Sequence, residues 1–427
     1  MKFYIYTLGC KVNSYESRIM TEDLINAGYV EEKDNSIPAD IYIINTCSVT
    51  NTADSKSLKL IRQAIKKNKD AIIVVCGCLA QAKPETVNIE GVDIVIGNKN
   101  KSKVSEYINE YVKNKNKKTD IYDISNVEFE TMKLNNFDKT RAFIKIQDGC
   151  NNFCAYCIIP YTRGSVRSKP REDILNEIDH LTLNGHKEIV LTGIHTGNYG
   201  SEFDNYDFAD LLNEIVKIKK LSRIRISSIE ITELNDRVLE IIKDNNVLVD
   251  HLHIPLQSGS DEILKLMNRK YDTKYFIEKI NKIRKIRPDI SITTDVIVGF
   301  PNETDKNFNE TIETIKKVDF SKLHVFPYSK REGTKAATME GQVKEEIKKQ
   351  RVMELLKLSK ELENKYMNKF IGKTLTFIPE VYKDGYLIGH TGNYLLIKLK
   401  GCEELLHKEV SVKLMENQYP YIISSAI

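Results

Sequence analysis

The sequence predicts an α/β protein in three parts. These are an N-terminal parallel α/β domain over residues 1–115, a central partial (βα)6 barrel over 136–366, and a small antiparallel β-barrel over 369–427. Three observations predict this. Apolar strand-like runs alternate with amphipathic stretches through the first 330 residues, the pattern of a parallel sheet with right-handed crossovers. Six such runs fall within 141–330, too few for a closed eight-stranded barrel, which needs roughly 250 residues. After Gly372 the apolar period drops to two.

Taken in order, FYIYT (3–7), IYIIN (41–45), AIIVV (71–75) and DIVIG (93–97) are rich in β-branched or aromatic residues, as strands buried on both faces are. Between them, the stretches near 14–27 and 52–68 read as amphipathic helices. Residues 101–140 are rich in Lys and Asn and weakly patterned, so a helix fades there into a linker. The central strands are AFIKI (142–146), EIVLT (188–192), RIRIS (223–227), LHIPL (252–256), SITTDVIVGF (291–300) and KLHVFPY (322–328), and helical stretches follow the first five. Residues 342–370 predict one long charged helix with Leu355, Leu356 and Leu358 among its apolar positions. In the last part, TLTFIPEVY, YLIGHTGNYLLIKL and EVSVKLM are punctuated by Asp384-Gly385, Gly392-Asn393 and Gly401, the marks of short antiparallel strands.

Composition narrows the class. Hydrophobic residues make up 41% and charged residues 29%, which suits a folded chain and not a disordered tail. The net charge of +4, from 64 basic and 60 acidic residues, permits an anionic partner without requiring one. No apolar run approaches the roughly 18 residues of a membrane helix, and MKFYIYTLGCKVNS has no secretory apolar region. A cytoplasmic protein with no membrane partner is expected, and in that compartment clustered cysteines indicate metal or redox chemistry.

The cysteines fall at strand ends. Cys10 follows the first strand, Cys47 the second, and Cys76 and Cys78 close the third. In a parallel sheet these ends share one rim, where open α/β folds bind ligands. Each thiol alone reads as a small buried residue; three at one topological position read as a metal site, with the choice between Cys76 and Cys78 left open by spacing. Cys150 follows the first strand of the central unit, and Cys154 and Cys157 lie in the loop beyond it. A structural zinc site wants four ligands, and no fourth cysteine is nearby; His180 and His186 fall on the next helix and turn. Three soft thiolates with one position open suit a cubane iron–sulfur cluster whose fourth iron is free for a small molecule.

CNNFCAYC, including Tyr156 before the last cysteine, resembles the signature of the radical S-adenosylmethionine family. TLGCKVNSYES, NTCSVT, GCLAQ, CNNFCAYCIIPYTRG, HIPLQSGSD and VGFPNET together resemble the methylthiotransferases of that family, over essentially the whole chain. The resemblance selects Cys10, Cys47 and Cys78, leaving Cys76 and Cys402 as structural thiols, and it makes the last domain TRAM-like. Around the first cysteine, TLGCKVNSYES resembles the subfamily acting on threonylcarbamoyladenosine in tRNA; the isopentenyladenosine and ribosomal-protein enzymes carry other residues there.

The resemblance implies a reaction and its parts. An aromatic C–H on carbon 2 of adenine is beyond any protein base, so a cofactor radical must remove the hydrogen. It implies two [4Fe-4S] clusters. One, on Cys150, Cys154 and Cys157, cleaves S-adenosylmethionine; the other, on Cys10, Cys47 and Cys78, carries or donates sulfur. A second S-adenosylmethionine supplies the methyl group, an electron donor protein reduces the clusters, and the anticodon stem-loop of tRNA is the partner. The remaining strand ends are expected to line the cosubstrate pocket: Thr192 and Gly193, Ser228 and Glu230, Gln257 and Ser258, then Val298, Gly299 and Phe300, where glycine lets backbone approach the adenine. Bland roles stand beside these: a salt-bridged rim for Glu230, a turn for Gly299, an N-cap for Gln257-Ser258.

For RNA, the last domain offers Phe377, Tyr382, Tyr386 and Tyr394 with Lys373, Lys383, Lys398 and Lys400. Its seven Lys against six acidic residues give a net of only +1, so the resemblance carries that expectation. The rival classes are the same chemistry on isopentenyladenosine or on a ribosomal protein, a two-cluster electron carrier, and a zinc-binding nucleic-acid module.

Overall fold

A computed structural model describes residues 1–124, 127–135, 137 and 140–427. The expected domain start at 136 and the last residues of the expected linker lie partly outside these. The first unit runs β1 (Lys2–Thr7), α1 (Lys11–Asn26), β2 (Val30–Glu31), β3 (Ile41–Thr46), α2 (Asn51–Lys67), β4 (Ile72–Gly77), α3 (Cys78–Ala82), α4 (Pro84–Val87), β5 (Ile94–Ile96), α5 (Val104–Asn114) and β6 (Lys118–Asp120). Its strands form one parallel sheet in the order β2-β1-β3-β4-β5-β6. Alternation along β3 feeds two cores. Ile41 and Ile43 pack with Met20, Leu24 and Ile108 from α1 and α5, while Tyr42 and Ile44 pack with Ile61 and Ala64 from α2. Thr50 caps α2 by accepting from the Ala53 amide at 3.1 Å. Two short edge strands are additions to the sequence expectation. β2 has two residues, and β6, read as linker, is the polar trio Lys-Thr-Asp held by backbone pairing to β5.

The central unit continues with β7 (Arg141–Lys145), β8 (Gln147–Asp148), α6 (Ile159–Arg163), β9 (Arg167–Ser168), α7 (Arg171–Leu183), β10 (Glu188–Thr192), α8 (Phe208–Ile215), β11 (Arg223–Ile226), α9 (Asp236–Asp244), β12 (His251–His253), α10 (Asp261–Leu266), α11 (Thr273–Ile286), β13 (Ser291–Val298), α12 (Asp305–Val318), β14 (Lys322–Pro327) and α13 (Glu345–Asn368). The six expected strands are present, all parallel, as β11-β10-β7 and β12-β13-β14. The two halves join through a single bridge, Ile224 to Leu248, giving an open six-stranded barrel wall. β12 is shorter than its apolar run because Pro255 has no N–H for the ladder. β13 ends at Val298 because Gly299, at φ +71°, turns the chain. Leu355 is buried and Leu358 packs on this core, whereas Leu356 is exposed.

The last unit, β15 (Thr374–Lys383), β16 (Tyr386–Thr391), β17 (Leu396–Lys400), β18 (Val410–Gln418) and β19 (Tyr421–Ala426), closes as β15-β16-β17-β19-β18. This is the Greek-key order of a five-stranded OB-type barrel. One correction follows. The barrel is not wholly antiparallel, since β17 and β19 run parallel, and β19 was not among the expected strands. Ser424 and Ser425 break its apolar alternation.

The barrel docks on the central unit through Tyr394. Its ring stacks on His251 at 4.7 Å and on His390 at 4.6 Å, and the Arg225 guanidinium lies 4.7 Å from its centre. Arg141 donates to its hydroxyl at 3.1 Å. Tyr394 is therefore a docking residue and not a free platform for RNA bases, and Phe377 is buried core. Tyr382 is exposed, and Tyr386 is half-buried under Lys398. Tyr394→Ala is expected to cost about 2 kcal/mol. Limited proteolysis should then cut the α13–β15 junction faster than in the parent protein.

Candidate active site

Parallel pairing sets three thiols on one rim. β1, β3 and β4 are neighbours, Thr46 lies opposite Gly77, and the Leu8 amide donates to Asn45 O at 3.0 Å. Cys10 then precedes α1, Cys47 follows β3, and Cys78 opens α3. Gly9 adopts φ +96°, and a Cβ there would sit 2.8 Å from that of Cys47. A side chain at position 9 would displace the second thiol. Burial, with Cys78 beside it, pushes the Cys47 thiol up to about 12. Asn98 donates to Cys78 Sγ at 3.5 Å. Cys76 points the other way, its sulfur 3.8 Å from Met20 Sδ in the sheet core. Cys402 is exposed on the C-terminal barrel.

The second triad sits beyond β7 and β8. The Asn152 amide approaches Cys150 Sγ at 3.5 Å, and Cys157 N donates to Cys154 O at 2.9 Å, closing the turn. Arg269 donates to Cys154 Sγ at 3.2 Å and pairs with Glu230. Burial raises the Cys154 pKa against the opposing charge of Arg269, and burial pushes Cys157 up to about 12. His195 Nδ1 lies 3.7 Å from Cys150 Sγ, and its other ring nitrogen pairs with Glu233. Burial opposes a charge on this ring, yet Cys150 and Glu233 outweigh it and raise its pKa to about 10.

Three soft thiols in each triad are the donor type that an iron–sulfur cluster takes. Burial raises the pKa of Cys10, Cys47, Cys154 and Cys157, and a bound metal, by its charge, reverses that effect. Among the described residues no group of three His, Cys, Asp or Glu is tight enough for a single ion. Three thiolates on three different irons stand further apart than ligands of one ion do. His180 is exposed on α7, and His186 accepts from the Phe137 amide, so neither completes a zinc site.

One short helix links the two triads. α6 begins two residues after Cys157. At its end, Thr162 O accepts from Asn98 at 2.8 Å, and Asn98 also touches Cys78. Arg163 donates to Asn13 Oδ1 at 2.8 Å, three residues from Cys10. Gly164 O accepts from Cys150 N at 3.0 Å. Arg163 is fully buried and also binds Glu16 Oε1 at 2.9 Å and Asp148 Oδ1 at 3.1 Å. Lys145 joins the same two carboxylates at 3.1 Å, and Lys101 reaches Glu16 at 2.5 Å. Burial alone would raise both carboxyls. Arg163 with Lys101 and Lys145 reverses this at Glu16, and Arg163 with Lys145 and Arg167 at Asp148, holding both well below the usual range. The resulting five-residue network ties α1 to β7, β8 and α6.

A cavity of about 780 Å³ opens between all three units. Cys10 and Lys11 line it from the first unit, Thr192, Gly193 and Ser228 from the strand ends, and Tyr394 from the last barrel. The other expected cosubstrate residues do not line it. Tyr156 and Phe300 pack with Ala155, Ile263 and Met267 beneath the cysteine loop. Gln257, at φ +64°, bonds to β13 through Asp295 O and Ile297 N. Ser258 Oγ faces Thr311 at 3.4 Å and accepts from the Ser260 amide at 3.2 Å. Val298 is buried at the end of β13. Gly299 makes room for the Lys348 stem, and its amide donates to Glu303 at 2.7 Å. Arg269, His195, Glu233 and Arg163 were not among the expected site residues. Arg163 alone carried a signal, as the arginine of IIPYTRG.

Comparison with known proteins gives the family. The sequence profile of the radical SAM superfamily matches residues 144–315, and that of the uncharacterized protein family UPF0004 matches 2–97. The chain is 45% identical to "Threonylcarbamoyladenosine tRNA methylthiotransferase MtaB" of Bacillus subtilis, over 97% of this chain and 94% of that protein. It is 41% identical to the protein of that name from Thermotoga maritima, over 92% and 89%. It is 36% identical to "tRNA-2-methylthio-N(6)-dimethylallyladenosine synthase" of Bacillus subtilis, over 97% and 84%. In fold alone it is similar to the radical S-adenosylmethionine methyltransferase TsrM from Kitasatospora setae, with a TM-score of 0.57 at 11% identity over 79% of this chain and 73% of that one. A [4Fe-4S] cluster and S-adenosylmethionine follow from the superfamily. The chain belongs to the radical S-adenosylmethionine methylthiotransferase family, in its threonylcarbamoyladenosine tRNA subfamily.

Proposed function

We propose that the chain methylthiolates carbon 2 of N6-threonylcarbamoyladenosine beside the tRNA anticodon. The observation that carries this reading is the link between two three-thiol sites through α6, with Cys10 and the barrel strand ends on one cavity. A volume of about 780 Å³ suits a modified nucleoside with part of a cosubstrate. Choice of nucleoside leans on the names of the more identical relatives. When bound, clusters on Cys150, Cys154 and Cys157 and on Cys10, Cys47 and Cys78 supply the radical-generating electron and the sulfur, respectively.

The chain's own residues hold and orient. Arg269 keeps a positive charge on Cys154 and on Glu230, and His195 does the same for Cys150. Thr192, Gly193 and Ser228 form the wall where S-adenosylmethionine binds, with two molecules used per turnover. Glu230 acts beside them; Tyr156, Gln257, Ser258, Val298, Gly299 and Phe300 shape the layer behind. Tyr382 and the lysines near it on the last barrel receive the anticodon stem-loop, and an electron donor protein serves the clusters. No helix among the described residues is long and apolar enough to cross a membrane.

The test uses anaerobically reconstituted protein, reductant, S-adenosylmethionine and tRNA from cells lacking the gene, with digested nucleosides read by mass spectrometry. A methylthio mass gain on threonylcarbamoyladenosine is expected. A gain on isopentenyladenosine instead overturns the choice of nucleoside. No gain, with 5′-deoxyadenosine still formed, removes tRNA as substrate and moves the ribosomal-protein reading forward.

A further inference from the structure

Lys11 is half-buried, lines the cavity next to Cys10, and has no hydrogen-bond or ion-pair partner among the described residues. Its cationic neighbours differ. Arg225 binds Glu188 at 2.6 Å, Arg141 binds Glu380 at 3.0 Å, and Lys322 binds Glu363 at 3.0 Å. An ammonium removed from bulk water without a counter-ion is costly, so a site built this way is completed by an incoming anion. His251, on the same wall, supplies no counter-ion either. It is 6% exposed and lines the same cavity, and its Nε2 lies 3.1 Å from Thr293 Oγ1 while its Nδ1 is buried without a partner. Burial, then the charges of Arg225, His253, Lys11 and Arg141, hold this ring neutral, which also places Lys11 within electrostatic reach of it.

We propose that Lys11 receives the carboxylate of the substrate's threonylcarbamoyl group. This rests on the substrate assigned above and names how that substrate is told from others. Carbon 2 of adenine and carbon 6, which bears N6, flank the same ring nitrogen. A residue adjoining Cys10 can therefore meet the N6 substituent while carbon 2 faces the sulfur-donating site. An isopentenyl group has no charge and would leave the Lys11 ammonium stranded, the situation in which a site rejects an analogue most strongly. Lys11 is then a specificity-determining residue.

The experiment compares reconstituted holoenzymes on an anticodon stem-loop carrying threonylcarbamoyladenosine or its methyl ester, which removes the charge and adds one methyl group. Iron content and absorbance are matched beforehand. For the parent enzyme, kcat/KM is expected to fall about 10- to 100-fold from acid to ester, the size of one hydrogen bond to a charged group. Lys11→Met should lose a similar factor on the acid and show no further loss on the ester; Lys11→Arg should restore the preference for the acid. A parent enzyme indifferent to the ester overturns the proposal without any variant. Lys11→Met losing equally on acid and ester also overturns it, assigning Lys11 to the neighbouring cluster site. A parent enzyme that leaves both forms untouched yet modifies isopentenyladenosine overturns the substrate reading, and the proposal with it.

Discussion

Cys154→Ala is expected to abolish cleavage of S-adenosylmethionine, whereas Cys47→Ala should retain cleavage and yield no methylthiolated nucleoside. The two thiols lie in separate triads on separate units, which α6 and the network around it help to join. Removing one of three thiolates undoes the site it serves, because a cubane with one open iron needs all three. Losses of at least about 1000-fold are expected for the affected step. High-performance liquid chromatography of 5′-deoxyadenosine, with nucleoside mass spectrometry on the same samples, reads both outcomes. Normal methylthiolated product from Cys47→Ala would show that the first triad does not deliver sulfur.

Arg163→Met is expected to be the most damaging substitution away from the cysteines. It leaves Glu16 and Asp148 buried with fewer counter-charges, and breaking such a pair typically costs about 3–5 kcal/mol. It also removes the bond to Asn13 that registers the Cys10 loop against the Cys150 loop, so product should fall even where the chain remains folded. The pH dependence has a definite sign. Both carboxyls are held well below their unfolded values, so their stabilising contribution is complete above about pH 4.5 and is lost as the pH falls toward the folded values. With Arg163 gone those folded values rise. Acid unfolding followed by circular dichroism should then begin at a higher pH than in the parent protein. An unchanged acid transition would contradict the role given to this network.

Much of this was legible in the sequence. Strands such as IYIIN and AIIVV are buried on both faces, and that burial leaves an unbroken apolar run. The cysteine spacing was legible because a covalent cluster site needs specific residues at chain positions close to strand ends. What was not legible depends on contacts between distant residues. β6 is three polar residues whose only reason to be a strand is the edge of β5. Tyr394 looked like a base-stacking ring, and its partners His251, Arg141 and Arg225 are more than 140 residues away. Gly299 was expected to admit adenine; the space it leaves is taken by Lys348 from α13. Arg269 reaches Cys154 across 115 residues, and no local motif announces it.

Iron counting tests the central claim, two cluster sites held together by one fold, most directly. Anaerobically reconstituted protein should hold about eight irons with matching sulfide, four for each cubane. Two triple variants, one replacing Cys10, Cys47 and Cys78 and the other Cys150, Cys154 and Cys157 with alanine, should each hold about four. Zinc without sulfide, or about four irons in the parent protein and none in either variant, would contradict it.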